Sequence, residues 1–230
     1  MPSIGGVREW IAQIQAAERE APAVLAGNQH FLSIPWCRDI INDPNWIATT
    51  TPSRQAKSNK EDTFFAETLQ TSQTIRNCLT LFRRPGVPTS HTTASSDPYL
   101  KGTDNNYPIQ EVTLLLNLGS GVNGYADICH GGFVSTILDE IMGILITVNL
   151  QLKERIIGEA KQISAFTAYL NVTFKRPVPT PGPIMGRCWF ERVEGRKTWI
   201  VSTVEDGAGG VFARAEGMFL EPKAQWKGRL

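Results

Sequence analysis

The stretch HGGFVSTILDEIMGILITVNL, residues 130–150, is long enough and apolar enough to form one mostly buried helix. Its apolar face consists of Phe133, Ile137, Ile141, Ile144 and Val148. Its other face is small and polar, with Gly132, Ser135, Thr136, Asp139 and Gly143. A carboxylate on an apolar helix is costly to bury unless it is hydrogen-bonded or functional. Asp139 is therefore the first candidate for a chemical role.

Segments of strand character surround this helix. The apolar run EVTLLLNL (111–118) precedes it, and glycines then punctuate a loop. Four further strands are predicted at AFTAYLNVTFKRPV (165–178), PIMGRCWFERVE (183–194), TWIVSTVED (198–206) and GVFARAEGMFLE (210–221). Gly195 marks one hairpin, and residues 206–210 mark another. One strand, one helix and four antiparallel strands predict an α+β fold in which the sheet wraps around a long central helix.

The first hundred residues differ from the rest in their pattern of apolar residues, which is mainly helical. Residues 7–20 have the apolar stripe of an amphipathic helix, and residues 34–47 and 64–82 are predicted to be helical as well. A loop rich in Pro, Ser and Thr follows at 83–108. We therefore expect a helical N-terminal extension with its loop over residues 1–108, one domain over 109–221 and a polar C-terminal tail over 222–230.

Composition excludes several classes of function. Lys and Arg total 23 against 22 for Asp and Glu, so we expect no nucleic-acid partner. No apolar stretch is expected to approach the roughly 20 residues of a membrane span. The four cysteines are scattered without a CxxC pair, which argues against a zinc site or a disulfide framework and favours a reducing compartment. The terminal Gly228, Arg229 and Leu230 depart from the Ser-Lys-Leu peroxisomal signal, so we expect the cytoplasm.

A family resemblance follows from two motifs taken together. GSGVNGYADICHGGFVSTILDEIMG (119–143), followed by LNVTFKRPVPTPG (170–182), resembles the hotdog-fold thioesterases. The likeness is to the phenylacetate-degradation type and the related mammalian acyl-CoA thioesterases, and it covers roughly residues 109–221. It implies a hotdog fold that hydrolyses an acyl group carried on coenzyme A or on a carrier protein, without a metal or redox cofactor.

The resemblance also implies roles for individual residues. Asp139 would act as general base on water or as nucleophile, and Thr167 would help to orient the water. A helix start offers unpaired amides and a positive dipole end, so the oxyanion would be bound mainly by the Gly132 N–H, with Gly131 supporting. His130 would either touch the carbonyl or only cap the turn.

Other positions are substrate-binding candidates with alternatives left open. Glu140 is the alternative candidate for the catalytic carboxylate in place of Asp139, or else it forms a salt bridge. Some relatives have an Asn six residues before the His; here Gly124 occupies that place and Asn123 stands one position earlier. Lys175 and Arg176 could contact coenzyme A phosphates or simply close a strand.

The resemblance finally implies an assembly and leaves two other functions open. Paired hotdog domains combine the helix start of one protomer with the acid-bearing helix of the other, so we expect a homodimer or a larger oligomer. A hotdog dehydratase or hydratase acting on a β-hydroxyacyl thioester is the first alternative. A non-catalytic acyl-binding module is the second. The spacing from His-Gly-Gly to Asp139 favours hydrolysis.

Overall fold

The computed structural model of the chain describes residues 29–89, 107–157 and 165–223, together with Ala12 and Val24. Apart from Ala12, the helix predicted over residues 7–20 lies outside these residues, as do most of the predicted loop and residues 224–230 of the predicted tail. The helices are α1 (Pro35–Asn42) and α2 (Gly131–Ile157), with short helical turns at Pro52–Arg54, Phe64–Thr68 and Ser120–Val122. The strands are β1 (Trp46–Thr49), β2 (Ile75–Arg83), β3 (Glu111–Leu118), β4 (Asn123–Tyr125), β5 (Ile128–Cys129), β6 (Phe166–Phe174), β7 (Gly182–Glu194), β8 (Lys197–Glu205) and β9 (Val211–Leu220).

Seven strands form one antiparallel sheet in the order β1-β2-β3-β7-β8-β9-β6. Strands β4 and β5 form a separate small hairpin immediately before α2. The helix α2 packs on the inner face of the large sheet, against β3, β6, β7, β8 and β9. An antiparallel sheet around one long helix is the hotdog fold that the sequence predicts, and β3, α2 and β6 to β9 occupy the segments expected for them.

The core lies between α2 and the sheet. Ile137, Ile141, Ile144 and Val148 of the predicted apolar face are buried, whereas Phe133 is only partly buried. A 22-residue part of α2, Gly131–Leu152, is long and apolar enough to cross a membrane, so the expectation that no segment approaches this length is wrong. Most of this apolar surface is covered by protein, because 56% of the apolar window is buried inside the fold.

Strand β3 is buried on both faces, which accounts for its uninterrupted apolar sequence. Leu114 and Leu116 face the α2 core, whereas Leu115 packs in a second cluster on the outer side of the sheet. That cluster includes Cys37 of α1 and Leu81 of β2. Residues before position 109 therefore cover the back of the central strands.

The prediction that residues 64–82 are helical is wrong for most of that segment. A single π-helical turn occupies Phe64–Thr68, and β2 then pairs with β3 from Ile75 to Phe82. In the segment 34–47, α1 ends at Asn42 and β1 begins at Trp46. Pairing with β3 decides the conformation of β2, because strand preference depends strongly on tertiary context. The division of the chain at residue 108 stays a prediction, and the large sheet contains strands from both sides of it.

Asn149 ties α2 to the start of β3. Its side chain is fully buried, accepts a hydrogen bond from the Ile109 amide at 3.0 Å and donates to the Ile109 carbonyl at 2.8 Å. We expect Asn149→Ala to lower the free energy of unfolding by about 2 kcal/mol or more, because both groups of Ile109 would be left buried and unpaired. Denaturant unfolding at a fixed protein concentration measures this loss.

Asn117→Ala is the matched control for this substitution. Asn117 is half-buried and makes a single long hydrogen bond of 3.5 Å to Asn77, so its loss should change stability by less than about 0.5 kcal/mol. Equal losses of stability from the two substitutions would contradict the stabilising role of the hydrogen bonds between Asn149 and Ile109.

Candidate active site

The Asp139 carboxylate and the Thr167 hydroxyl meet beside the polar face of α2. Thr167 lies near the start of β6, and its Oγ1 donates a hydrogen bond of 2.9 Å to Oδ1 of Asp139. The carboxylate is only partly buried, so its second oxygen can still meet solvent or a ligand. The two residues that the resemblance linked to the attacking water are therefore brought together across 28 positions of the chain.

His130 caps the first turn of α2. Its carbonyl accepts from the amides of Phe133 and Val134, and its ring Nδ1 accepts from the amide of Gly132 at 3.0 Å. A neutral imidazole that accepts at Nδ1 carries its proton at Nε2. The Gly132 amide, expected to be the main oxyanion donor, is thus already engaged in this structure. The Gly131 amide has no hydrogen-bond partner among the described residues.

The β4-β5 hairpin holds the helix start in place. The His130 amide donates to the Val122 carbonyl at 2.8 Å. A Cβ at Gly124 would lie 3.0 Å from Cα of His130, so a side chain there would press on the cap. The Asn123 amide oxygen accepts a hydrogen bond from the Thr180 hydroxyl. The side chain of Asn123 therefore joins the hairpin to the loop after β6, whereas a substrate contact was expected from it.

The helix start and the acid are far apart within one protomer. Gly132 and Asp139 are separated by seven residues of continuous helix, which corresponds to about 10 Å along the axis. A carbonyl bonded to the amides of this helix start would lie well beyond the reach of the same helix's Asp139.

Glu140 points away from Thr167 and towards the N-terminal part of the chain. Its carboxyl accepts a hydrogen bond from the Ser53 hydroxyl, and it lines a cavity of about 190 Å³. The pKa of Glu140 is raised to about 7, chiefly by burial and in smaller part by Asp62 and Asp139, whereas the hydrogen bond from Ser53 and the charge of Arg54 act to lower it. The structure gives Glu140 a serine partner in place of the salt bridge considered for it. Ser53 was missed in the sequence, because it lies 87 positions away and carries no motif.

The two cationic residues that follow β6, Lys175 and Arg176, have different surroundings. Arg176 forms an ion pair of 3.2 Å with Asp206 and stacks over Phe212 at 4.8 Å. Lys175 is exposed and forms no ion pair within residues 29–89, 107–157 and 165–223. Over the same ranges, no group of three or more His, Cys, Asp or Glu side chains is arranged to hold a metal ion.

Comparison with known proteins identifies the family. Residues 126–213 match the family model described as the thioesterase superfamily. Verlamelin biosynthesis protein B of Lecanicillium sp. is 31% identical over 193 residues, an alignment that covers 74% of this chain and 78% of the relative. The chain belongs to the thioesterase superfamily.

Two further similarities are more distant. The mouse acyl-coenzyme A thioesterase THEM4 is 28% identical over 87 residues, which cover 38% of this chain and 32% of that enzyme. The chain thus matches about a third of the length of the mouse enzyme. A solved structure of a Bacillus halodurans protein with CoA is 22% identical, covers 50% of this chain and 70% of the other, and has a TM-score of 0.40.

The buried Glu140 should make stability depend on pH. Folding raises its pKa from 4.5 to about 7, so its contribution is fully present below pH 4.5 and is lost as the pH rises through about 7. We expect the free energy of unfolding of the wild type to fall over this range, relative to Glu140→Gln, by up to about 3 kcal/mol. Denaturant titrations at several pH values measure the difference.

The control is Glu194→Gln, which changes a carboxylate with 59% of its side chain exposed. Its stability should follow the wild-type pH curve. Parallel curves for the wild type and Glu140→Gln would show that Glu140 is not the titrating group.

Proposed function

We propose that the protein hydrolyses acyl-CoA thioesters, with Asp139 as the general base. The observation that carries this proposal is the Asp139 carboxylate held by Thr167 on the open face of a helix whose start presents a free amide. Membership of the thioesterase superfamily supports hydrolysis of a thioester. The acyl-coenzyme A thioesterase among its relatives supports coenzyme A as the carrier.

The proton transfers of the proposed reaction involve water, the Asp139 carboxylate and the leaving thiolate. The hydrogen bond from Thr167 occupies Oδ1 of Asp139, which leaves Oδ2 to accept a proton from water. The water oxygen attacks the thioester carbon, and the carbonyl oxygen becomes an oxyanion. Collapse of this intermediate breaks the carbon–sulfur bond, and the thiolate takes up the proton held by Asp139. The products are a free acid and coenzyme A.

The oxyanion would be bound by the amides at the start of α2. Such donors contribute about 3 to 4 kcal/mol to transition-state stabilisation when they are already oriented. Gly131 offers its amide without rearrangement, because this amide has no partner among the described residues. The Gly132 amide would have to exchange the His130 ring nitrogen for the substrate oxygen. His130 thus acts here as a positioning residue.

A homodimer would complete this site. Strand β6 forms one edge of the large sheet, and its Phe166, Tyr169 and Phe174 are each about half exposed. A long, apolar edge strand is a ready surface for pairing with another chain. Pairing of two β6 strands would bring a second helix start towards the first Asp139. This arrangement would resolve the separation of about 10 Å within one protomer.

Substitution of the acid tests the proposed function. Purified protein would be offered a panel of acyl-CoAs with a thiol reagent that detects free coenzyme A. We expect Asp139→Asn to lower kcat at least about 100-fold, because water would lose its base. Thr167→Val should lower it by about tenfold, since the carboxylate would lose its positioning hydrogen bond.

Glu216→Gln serves as a control, because Glu216 pairs with Arg214 on the sheet away from Asp139, and its activity should match the wild type. Absence of coenzyme A release from every thioester would overturn the proposal. Formation of an enoyl product from a β-hydroxyacyl-CoA, followed by its absorbance, would indicate the dehydratase reaction.

Mixed dimers test whether the site is shared between protomers. Asp139→Asn would be co-expressed with Gly131→Pro, which removes the free amide at a helix position where proline is tolerated. If sites are shared, half of the dimers are mixed and each has one intact site, so activity should recover to about a quarter of the wild type.

If each site belongs to one protomer, the mixed dimers contain no intact site and recovery should not occur. Each variant alone provides the baseline. Activity of the mixture no higher than the mean of the two baselines would contradict the shared site.

A further inference from the structure

We propose that the cavity beside Glu140 and Gly143 is the acyl subsite, and that it selects acyl groups whose end carries a hydrogen-bond donor. This inference rests on the proposed function and adds the class of substrate to it. The donor could be a hydroxyl or an ammonium group, and the experiment below separates the two. We refer to the cavity, defined by Ser53, Asp62, Glu140, Gly143 and Thr147, as the acyl subsite.

The position of the acyl subsite fits an acyl chain whose thioester lies at Asp139. Gly143 follows Asp139 by four residues, so it lies about one turn, or roughly 6 Å, further along nearly the same helix face. An extended chain of six carbons covers a comparable length. An acyl group attacked beside Asp139 would therefore reach the cavity with its far end.

The space for this group is created by the missing side chain at Gly143. A Cβ built at this position meets no other atom within 4 Å, whereas a glycine inside a helix costs about 1 kcal/mol relative to alanine. The glycine is thus not required by close packing or by backbone conformation. The cavity volume of about 190 Å³ corresponds to roughly six water-sized groups, which suits a short acyl chain.

The lining of the acyl subsite is polar and rich in acceptors. It contains four carboxyl groups and one ammonium group, that of Lys57. Lys57 is already engaged by Asp62 at 2.7 Å and by Glu61 at 3.3 Å. Glu140 accepts from Ser53 and forms no ion pair among the described residues, so its carboxyl retains capacity for another donor. This lining favours a donor and opposes a second carboxylate.

The wall opposite α2 comes from the N-terminal part of the chain. Ser53 and Asp62 lie outside residues 126–213, which match the family model. The short helical turn Pro52–Arg54 packs against both α2 and the turn Phe64–Thr68. We infer that the N-terminal part adapts a shared hydrolytic core to its particular acyl group.

A series of four thioesters of equal length tests the acyl subsite: hexanoyl-CoA, ω-hydroxyhexanoyl-CoA, ω-aminohexanoyl-CoA and adipoyl-CoA. We expect kcat/KM of the wild type to be at least about fivefold higher for a chain that ends in a donor than for hexanoyl-CoA. Adipoyl-CoA should be the poorest substrate, because its carboxylate would face acidic side chains. A preference for the amine over the hydroxyl would identify a charged Glu140 in the complex.

Substitutions in the cavity should remove this preference. Gly143→Leu fills the space, and Glu140→Leu removes the acceptor; each should reduce the ratio of kcat/KM for the donor chain over hexanoyl-CoA by at least about fivefold. Thr147→Leu fills the same cavity from a neighbouring turn and replaces Gly143→Leu if that variant does not fold. Glu194→Gln, on the exposed end of β7, should retain the wild-type ratio.

The outcomes separate the two proposals. If the wild type hydrolyses thioesters without preferring a donor chain, or if the filled-cavity variants keep the wild-type ratio, the acyl subsite is overturned and the proposed function stands. If the wild type hydrolyses none of these four thioesters but releases coenzyme A from another acyl-CoA of the panel, only the acyl subsite is overturned; absence of release from the whole panel overturns both. A preference that is lost in Gly143→Leu and Glu140→Leu but retained in Glu194→Gln supports the acyl subsite.

Discussion

The burial of α2 against the sheet is the constraint on which the rest of the structure depends. Ten side chains of the helix belong to the core, and its polar face lies in a narrow band between Thr167 of β6 and Ser53 of the N-terminal residues. Acidic side chains in that band need partners because burial without a hydrogen bond is costly. Asp139 receives a hydrogen bond from Thr167, and Glu140 receives one from Ser53. The two neighbouring carboxyl groups thereby acquire different surroundings.

The same helix limits what one protomer can do. A helix start binds anions through its unpaired amides, but a side chain two turns further along the helix lies about 10 Å from those amides. Capping by His130 also reduces the number of free amides at the helix start, because the Gly132 amide donates its hydrogen bond to the His130 ring nitrogen. The proposed site needs both the amides and the carboxylate and would therefore require a second protomer, for which the half-exposed aromatic residues of the edge strand β6 are the proposed contact surface.

The N-terminal residues contribute more than a covering layer. Strands β1 and β2 extend the sheet, and α1 covers its outer side with a second apolar cluster. The turns between β1 and β2 then approach the polar face of α2 and close a cavity over it. The residues that match the thioesterase superfamily contain Asp139 and Thr167, which are proposed to take part in the reaction. The preceding residues form one wall of the proposed acyl subsite.

The sequence by itself determined the parts of the fold in which local pattern and final environment agree. The length and apolar content of residues 130–150 predicted α2, glycine-containing turns separated β7, β8 and β9, and an unbroken apolar run predicted β3. Family resemblance singled out Asp139 and Thr167 as candidates, whereas the hydrogen bond between them came from the structure. Only the tertiary structure decided that residues 75–83 are a strand, because their apolar spacing suits a helix as well and the contact with β3 settles the conformation. The tertiary structure also decided the hydrogen-bond partners of Glu140 and Gly132. Glu140 meets Ser53 across 87 positions of the chain, and Gly132 bonds to the ring of His130 only in one orientation of that side chain; the local sequence pattern indicates neither contact.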